Sequence, residues 1–377
     1  MVGTITQTRK LLPAVSVYFS PGASLYSHEK AAIADVATMI AKLKGCTIAS
    51  PFDLSSQTFN RAYLIPDETL LAEEAAALNI ASEDDLFGGV VPCCVARTKA
   101  ITHHLVGGCA ARPVHWSPVF ADRVRSVVPP GYTAFTAEDA RIATSRLLKF
   151  GTIRLKMPLA CRGTDQTVIG SMRELDRFLK RMPPKEFVET GLVIEVNLRP
   201  VTTLSIGQVT IDNLTIAYHG LQRTVANNRG QLVYGGSHLI CARGGWDALD
   251  RLPLDGARRL AVVQARSYDQ ATSEYHGFLA SRRNYDVGQG LDGKGQWRSG
   301  VFEASWRSGG ASTAELMAML AFAADPTLQV LEVSAVKEFG QAGTPPGNAM
   351  IHFKGDDPED GPILRYTLVT RKFRQVA

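Results

Sequence analysis

The stretch Asn284 to Gly310, NYDVGQGLDGKGQWRSGVFEASWRSGG, constrains this chain more than any other. Asp286 precedes a turn at Asp292 to Gly295 and Glu303 follows it. An antiparallel hairpin over that turn brings the two carboxylates together on one face. Two such groups can hold magnesium and, with it, nucleotide phosphates.

The frame around the hairpin is that of a large globular protein. At 377 residues the chain exceeds the usual single-domain size and suggests two or three domains. Apolar residues at 45% and charged residues at 20% argue against both wholesale disorder and a membrane protein. The net charge of +5 is mild and the basic residues are scattered, so a nucleic-acid partner is not expected. Six cysteines form no C-x-x-C pair and no zinc spacing. The amino terminus, MVGTITQTRKLLPAVSVYF, has only a short apolar run broken by Pro13, without a signal-peptide core. No run of about 18 apolar residues appears elsewhere. The expectation is a cytoplasmic protein with free thiols and no membrane partner. A homodimer is the general prior for such a chain.

Along the chain, Ala14 to Phe19 reads as a strand, broken by Pro21, Gly22 and Ser24. Ile33, Val36, Ala37, Ile40 and Leu43 then mark a helix from Ser27 to Lys44, stopped by Gly45. A strand at Arg61 to Ile65 and a helix at Thr69 to Leu78 repeat the alternation, which favours a parallel α/β layer. A Gly- and Pro-rich stretch from Gly88 to Gly131 marks a domain junction. Beyond it, Thr136 with Asp139, Ser171 with Glu174, and Ser312 with Glu315 have the form of capping boxes. Leu204 to Val209, Leu214 to Tyr218 and a turn at Tyr234 to Gly236 suggest an antiparallel sheet, and Ala349 to Phe353 with Ile363 to Thr370 a late hairpin.

Two further segments carry candidate chemistry. In GTIRLKMPLACRGTDQTVIG, Gly151 to Gly170, Lys156 ends a strand where its ammonium could meet phosphate oxygens under the small-residue loop Ala160 to Gln166. Ordinary strand-turn-strand structure accounts for the same residues. In GLVIEVNL, Gly191 to Leu198, backbone groups at Val196 and Leu198 could pair with an adenine edge while Glu195 accepts from its exocyclic amine. An edge strand with an incidental glutamate is the alternative. His103, His104, Cys109 and His115 match no familiar metal spacing, and Cys93 and Cys94 are expected as buried small side chains. A nucleophile elbow, a Walker loop and a dinucleotide-binding glycine fingerprint are all missing.

The order of these features resembles the ATP-grasp superfamily: capped helix, lysine strand, small-residue loop, capped helix, a strand ending E-x-x-L, antiparallel strands, acidic hairpin. Through RLKMPLACRGTDQ, NYDVGQGLD and FEASWRSGGAS the chain is similar to an uncharacterised proteobacterial family of ATP-grasp-like proteins. The resemblance implies an ATP-grasp fold, two α+β lobes clasping ATP, preceded by a parallel α/β pre-ATP-grasp domain. The expected units are 1–130 for the preceding domain and 131–340 for the core, its lobes meeting near 195–196. Residues 341–377 would form a β-hairpin packed on the core.

The resemblance also implies roles. Lys156 contacts phosphate, Gly163 lies in the flexible cover loop, and Glu195, Val196 and Leu198 form the adenine hinge. Asp286 and Glu303 become magnesium ligands, with Ser305 where the superfamily usually has asparagine in its E-x-N signature. A hydroxyl is a weaker oxygen ligand than an amide carbonyl. Arg307 would contact the transferred phosphoryl group. Arg141 stands near the expected first nucleotide lysine, with Lys149 as an alternative. The implied activity is an ATP- and magnesium-dependent ligation of a small-molecule carboxylate to an amine or similar nucleophile through an acyl phosphate. Ser305 and Arg141 motivate the alternatives of a non-catalytic nucleotide-binding protein or a phosphotransferase.

Overall fold

The computed structural model describes residues 14–51, 62–159, 166–340 and 343–374. The amino-terminal stretch weighed for targeting, residues 1–13, and the cover loop from 160 to 165 with Gly163 therefore lie outside the described residues.

The chain opens with β1 (Ala14–Tyr18), α1 (Ser27–Lys44), β2 (Thr47–Ile48) and β3 (Ala62–Pro66), and β1 pairs parallel with both other strands. The apolar stripe of α1 is buried, and Gly45 at φ 63° closes the helix by donating its N–H to the Ala41 carbonyl. The helix expected over 69–78 is shorter, because Leu70 and Leu71 form β4 and only Ala72–Ala77 are helical, as α2. Both leucines are buried, and β4 pairs with β5 (Gly89–Val91), so burial outweighs helical continuity. Cys94 is exposed and Cys93 half-buried, in contrast to the expectation for that pair. Helix α3 (Pro118–Val124) then leads to the first lobe.

That lobe comprises β6 (Gly131–Ala134), α4 (Ala137–Leu147), β7 (Ile153–Lys156), β8 (Gln166–Ile169), α5 (Met172–Leu179), α6 (Pro184–Thr190) and β9 (Leu192–Val196). Its antiparallel sheet runs β6-β9-β7-β8. Thr136 and Ser171 cap α4 and α5 through their hydroxyls, accepting from the amides of Asp139 and Glu174.

The second lobe holds β10 (Val201–Ile211), β11 (Leu214–Ala226), β12 (Leu232–Arg243), α7 (Asp247–Asp250), α8 (Gly256–Ala271), β13 (Leu279–Ala280), β14 (Arg282–Leu291), β15 (Trp297–Ser305), α9 (Ser312–Ala324), β16 (Val330–Phe339), β17 (Met350–Asp357) and β18 (Gly361–Phe373). One eight-stranded antiparallel sheet runs β15-β14-β10-β11-β12-β16-β18-β17. The carboxy-terminal hairpin is thus part of this sheet, while β13 pairs with β5. Tyr234 to Gly236 is no turn: it lies inside β12, where the register skips Gly235 as a bulge.

The two faces of the large sheet bury different partners. Leu204, Ile206, Tyr285 and Val287 pack with Ala261, Val262, Ala265 and Tyr268 of α8. Tyr218, Leu239, Leu331 and Val333 pack with Leu316, Met319 and Phe322 of α9, in a core continuous with Ile33, Val36 and Ile40 of α1. The third expected capping box is absent. Ala311 is the N-cap of α9, Ser312 Oγ accepts from the Gly309 amide, and Glu315 is turned inward.

Candidate active site

The β14–β15 hairpin sets the site. Asp286 is the direct partner of Glu303 and Asn284 of Ser305, so each pair shares a face of the sheet. Immediately beyond, the register slips so that Val287 faces Val301, leaving Phe302 as a bulged residue between ladder partners. Its ring lies across Gly288, on the face that carries Asp286.

From the first lobe, β7 and β9 present Lys156 and Glu195 to that ring. Lys156 Nζ sits 4.4 Å from the Phe302 ring centroid and 2.5 Å from Glu195 Oε1. The other Glu195 oxygen is 3.1 Å from His103 Nε2. Because His103 Nδ1 is buried without a partner, Nε2 carries the proton and donates to the carboxylate. The imidazole lies flat against Gly131, where a Cβ would come within 2.6 Å of the ring. Burial alone would raise the Glu195 carboxyl. The Lys156 ammonium and the His103 hydrogen bond outweigh it and hold the group below its ordinary range.

Glu195 therefore does not stand as an open acceptor at a hinge. It is 1% exposed and both of its oxygens are engaged. Val196 is constrained as well, since its N–H donates to the Pro130 carbonyl. The Leu198 N–H, by contrast, donates to no protein acceptor among the described residues. Arg141 is placed away from the interlobe face, because α4 turns Ala140, Ala143 and Leu147 to the core and leaves Arg141 exposed, paired with Asp176 at 3.0 Å.

On the acidic side, Glu303 Oε1 lies 3.2 Å from Lys99 Nζ, and Asp286 Oδ1 accepts from Asn284 Nδ2 at 2.9 Å. Burial, and then the adjacent Glu303 carboxylate, push Asp286 up to about 6. The Ser305 carbonyl lies 3.4 Å from Arg282 Nη1. Arg307 projects from the following loop, its Nε 3.5 Å from Glu68 Oε2. That loop is fixed from behind: Arg282 grips Glu315 with Nε and Nη2, both at 2.8 Å, and donates through Nη1 to the Arg307 carbonyl at 2.6 Å.

The sequence carries no signal for Lys99, and it offers His103 only as a candidate metal ligand. Both lie in or just beyond the 3-10 turn Lys99–Ile101, within the Gly- and Pro-punctuated stretch, where no periodicity marks which side chains face inward. Among the described residues no three His, Cys, Asp or Glu side chains converge as a metal cluster. Asp286 and Glu303 are a pair, which suits a cation that takes one or two carboxylates and completes its shell from phosphates and water. A groove of about 340 Å³ lined by Leu204, Leu221, Arg258, Gln289 and Trp297 lies on the α8 face of the sheet and includes none of these residues. Chemistry, not concavity, locates the centre.

Solved structures of similar shape bear on the fold. The N5-carboxyaminoimidazole synthetase of Staphylococcus aureus, complexed with ADP, superposes with a TM-score of 0.50 at 12% identity, covering 97% of this chain and 94% of that one. The phosphoribosylamine–glycine ligase of Thermotoga maritima gives a TM-score of 0.51 at 13% identity, covering 95% and 90%. The fold is the ATP-grasp fold with its preceding α/β unit, as the sequence resemblance implies. No curated protein matches the chain in sequence. The sequence match spans residues 19–367 and shows that the chain belongs to the family described as a protein of unknown function, DUF3182.

Proposed function

We propose that this protein is an ATP- and magnesium-dependent ligase that joins a small-molecule carboxylate to an amine or similar nucleophile. One observation carries the reading: Lys156 of one lobe and the Asp286–Glu303 pair of the other meet across Phe302, the residue next to Glu303. An ammonium and two carboxylates facing each other across a lobe boundary suit a triphosphate with its cation. In this reading residues 1–130 precede the ATP-binding core, 131–340 form it, and 341–377 supply the β17–β18 hairpin that joins its large sheet.

The residues fit magnesium in that two carboxylates stand side by side on one face, with burial and then the Glu303 charge raising Asp286. Asp286 and Glu303, with Ser305 nearby, would hold magnesium, which would neutralise charge on phosphate oxygens. Lys156 stabilises charge on the transferred group, and the Leu198 N–H with the Val196 carbonyl orients the base. Glu195 and His103 position the lysine ammonium. Arg307, released from Glu68, faces the phosphoryl group as it passes to the acceptor carboxylate, whose acyl phosphate the nucleophile then opens.

A second reading, nucleotide binding without turnover, draws on the Lys99–Glu303 ion pair, which neutralises one of the two metal-binding carboxylates. One experiment serves both. MgATP affinity is measured for the wild type and Lys156→Ala, followed by ADP and phosphate release over a panel of acids and amines. Binding weakened about tenfold or more in the variant is expected, with phosphate released only when acid and nucleophile are both present. Tight MgATP binding without release favours the second reading. Unchanged affinity in Lys156→Ala sinks the site assignment.

A further inference from the structure

The face of the large sheet that carries Asp286 continues well beyond it. Successive register partners run Asp286, Ser205 and Gly220 across β14, β10 and β11. Gln222, two residues along β11, partners Ser237, then Ala335 and Thr367. Two residues further along β16 and β18, Lys337 is paired directly with Arg365. Strand alternation puts both cations on that face.

Arg365 is held by one nitrogen only. Its Nη1 donates to His28 Nδ1 and to the His28 carbonyl, each at 3.1 Å. Among the described residues Nε and Nη2 have no partner, and no carboxylate lies within ion-pair distance of the guanidinium. Those two nitrogens form the edge that offers parallel donors to a carboxylate or phosphate.

The surrounding acids are already committed. His28 Nε2 lies 3.3 Å from both Asp360 Oδ2 and Lys337 Nζ. Asp360 is shared with Lys337 Nζ at 3.4 Å. Asp357 accepts the His28 amide of α1, and Glu29 caps the same helix at the Tyr26 amide. His28 adds no charge of its own: burial, then Lys337 and Arg365, bring it down to about 4. Burial likewise lowers Arg365, against the opposing pull of the Glu29 carboxylate.

Tyr234 links this cluster to the acidic centre. Its ring packs under Gly310 in the loop after β15, where a Cβ would come within 2.3 Å, and its hydroxyl meets Ser237 Oγ at 2.7 Å. Burial, then the Asp286 carboxylate, raise the phenol to about 12, with Arg365 acting in the opposite direction.

We propose that Arg365, with Lys337 beside it, anchors a terminal oxyanion, a carboxylate or a phosphate, on the molecule that the Asp286–Glu303 centre acts on. Its role as an acceptor site rests on the ligase reading; its affinity for an oxyanion does not. The test uses the full chain with a saturating non-hydrolysable MgATP analogue, at constant ionic strength set by chloride. Inorganic phosphate and succinate are titrated separately, followed by thermal stabilisation and calorimetry. Saturable binding of one of the two is expected, and its identity separates the phosphate from the carboxylate form. Arg365→Gln should weaken that binding about tenfold or more while the nucleotide affinity stays within about twofold. Arg365→Lys, which keeps the charge but loses the fork, should recover only part. Lys156→Ala should show the reverse pattern.

Equal oxyanion affinity in Arg365→Gln and the wild type overturns the proposal, as does no saturable binding beyond the chloride control. If the Gln variant does not fold by circular dichroism, the Lys variant decides, and wild-type affinity there is equally fatal. Failure of the wild type to bind the nucleotide would count against the ligase reading alone, since the anion titration is read independently.

Discussion

Asp286 and Glu303 stand opposite each other on one face of the sheet, and the consequence is a titration. Asp286 lies near 6 in the folded chain, above its ordinary value near 3.8, so the native state holds its proton more tightly than the unfolded one. Between about pH 4 and 6 the ionised carboxyl costs stability, and the cost is complete above that window. A divalent cation reverses the balance, because it binds the ionised form and displaces the proton. Magnesium affinity, read by calorimetry or by manganese relaxation, should be flat above about pH 7 and fall towards tenfold per unit below about pH 6. Asp286→Asn should abolish that dependence; a profile unchanged in the variant would remove Asp286 from the site. This pair was legible in the sequence because a turn between two short strands fixes what faces what. Glu195 was not, because strand order decides whether a carboxylate at a strand end is open or enclosed. Here β9 is flanked by β6 and β7, which deliver Lys156 and enclose the carboxylate.

Among elements, α9 joins the layers. Its inner face packs on the large sheet and shares a core with α1, and its first turn follows the loop that carries Arg307. Glu315 looks in sequence like the acidic half of a capping box, yet it is fully buried against Arg282 and receives the Tyr218 hydroxyl at 2.6 Å. Local spacing could not reveal this, since Arg282 is thirty-three residues away and reaches Glu315 only after β14 joins the sheet. By contrast α1 was readable end to end, because its signal, an apolar stripe closed by a glycine, is local. Glu315→Gln should leave Arg282 as an underpaired buried cation and cost about 3–5 kcal/mol, read as a lower denaturation midpoint. It should also loosen the Arg307 loop through the Arg282–Arg307 contact. A variant within about 0.5 kcal/mol of wild type would mean that the pair does not hold the layers together.

For the whole molecule, acid stability tests whether these layers act as one body. His28 lies where α1 meets the carboxy-terminal hairpin, on the α9 side of the sheet, while His219 is buried in β11 as the register partner of Ile206, on the α8 side. Burial is the first cause that lowers each to about 4; Lys337 and Arg365 then act on His28, and Arg258 on His219. The sign follows from which state protonates first. As the pH falls through about 6.5 the unfolded chain takes up protons that the folded chain refuses until about 4, so stability is complete above that window and lost through it. A shift of this size corresponds to about 3 kcal/mol for each buried histidine. Asp286 works in the opposite direction over nearly the same window, but it is one partly solvated carboxyl against two buried rings. Urea unfolding at pH 7.5, 6 and 5 should therefore show the midpoint falling steadily with acid. His219→Leu should shed part of the slope, and a single transition in each variant would mean that the faces on either side of the sheet open together. Two separated transitions, one sensitive to His219 and one to His28, would show instead that the sheet's two faces are independent cooperative units.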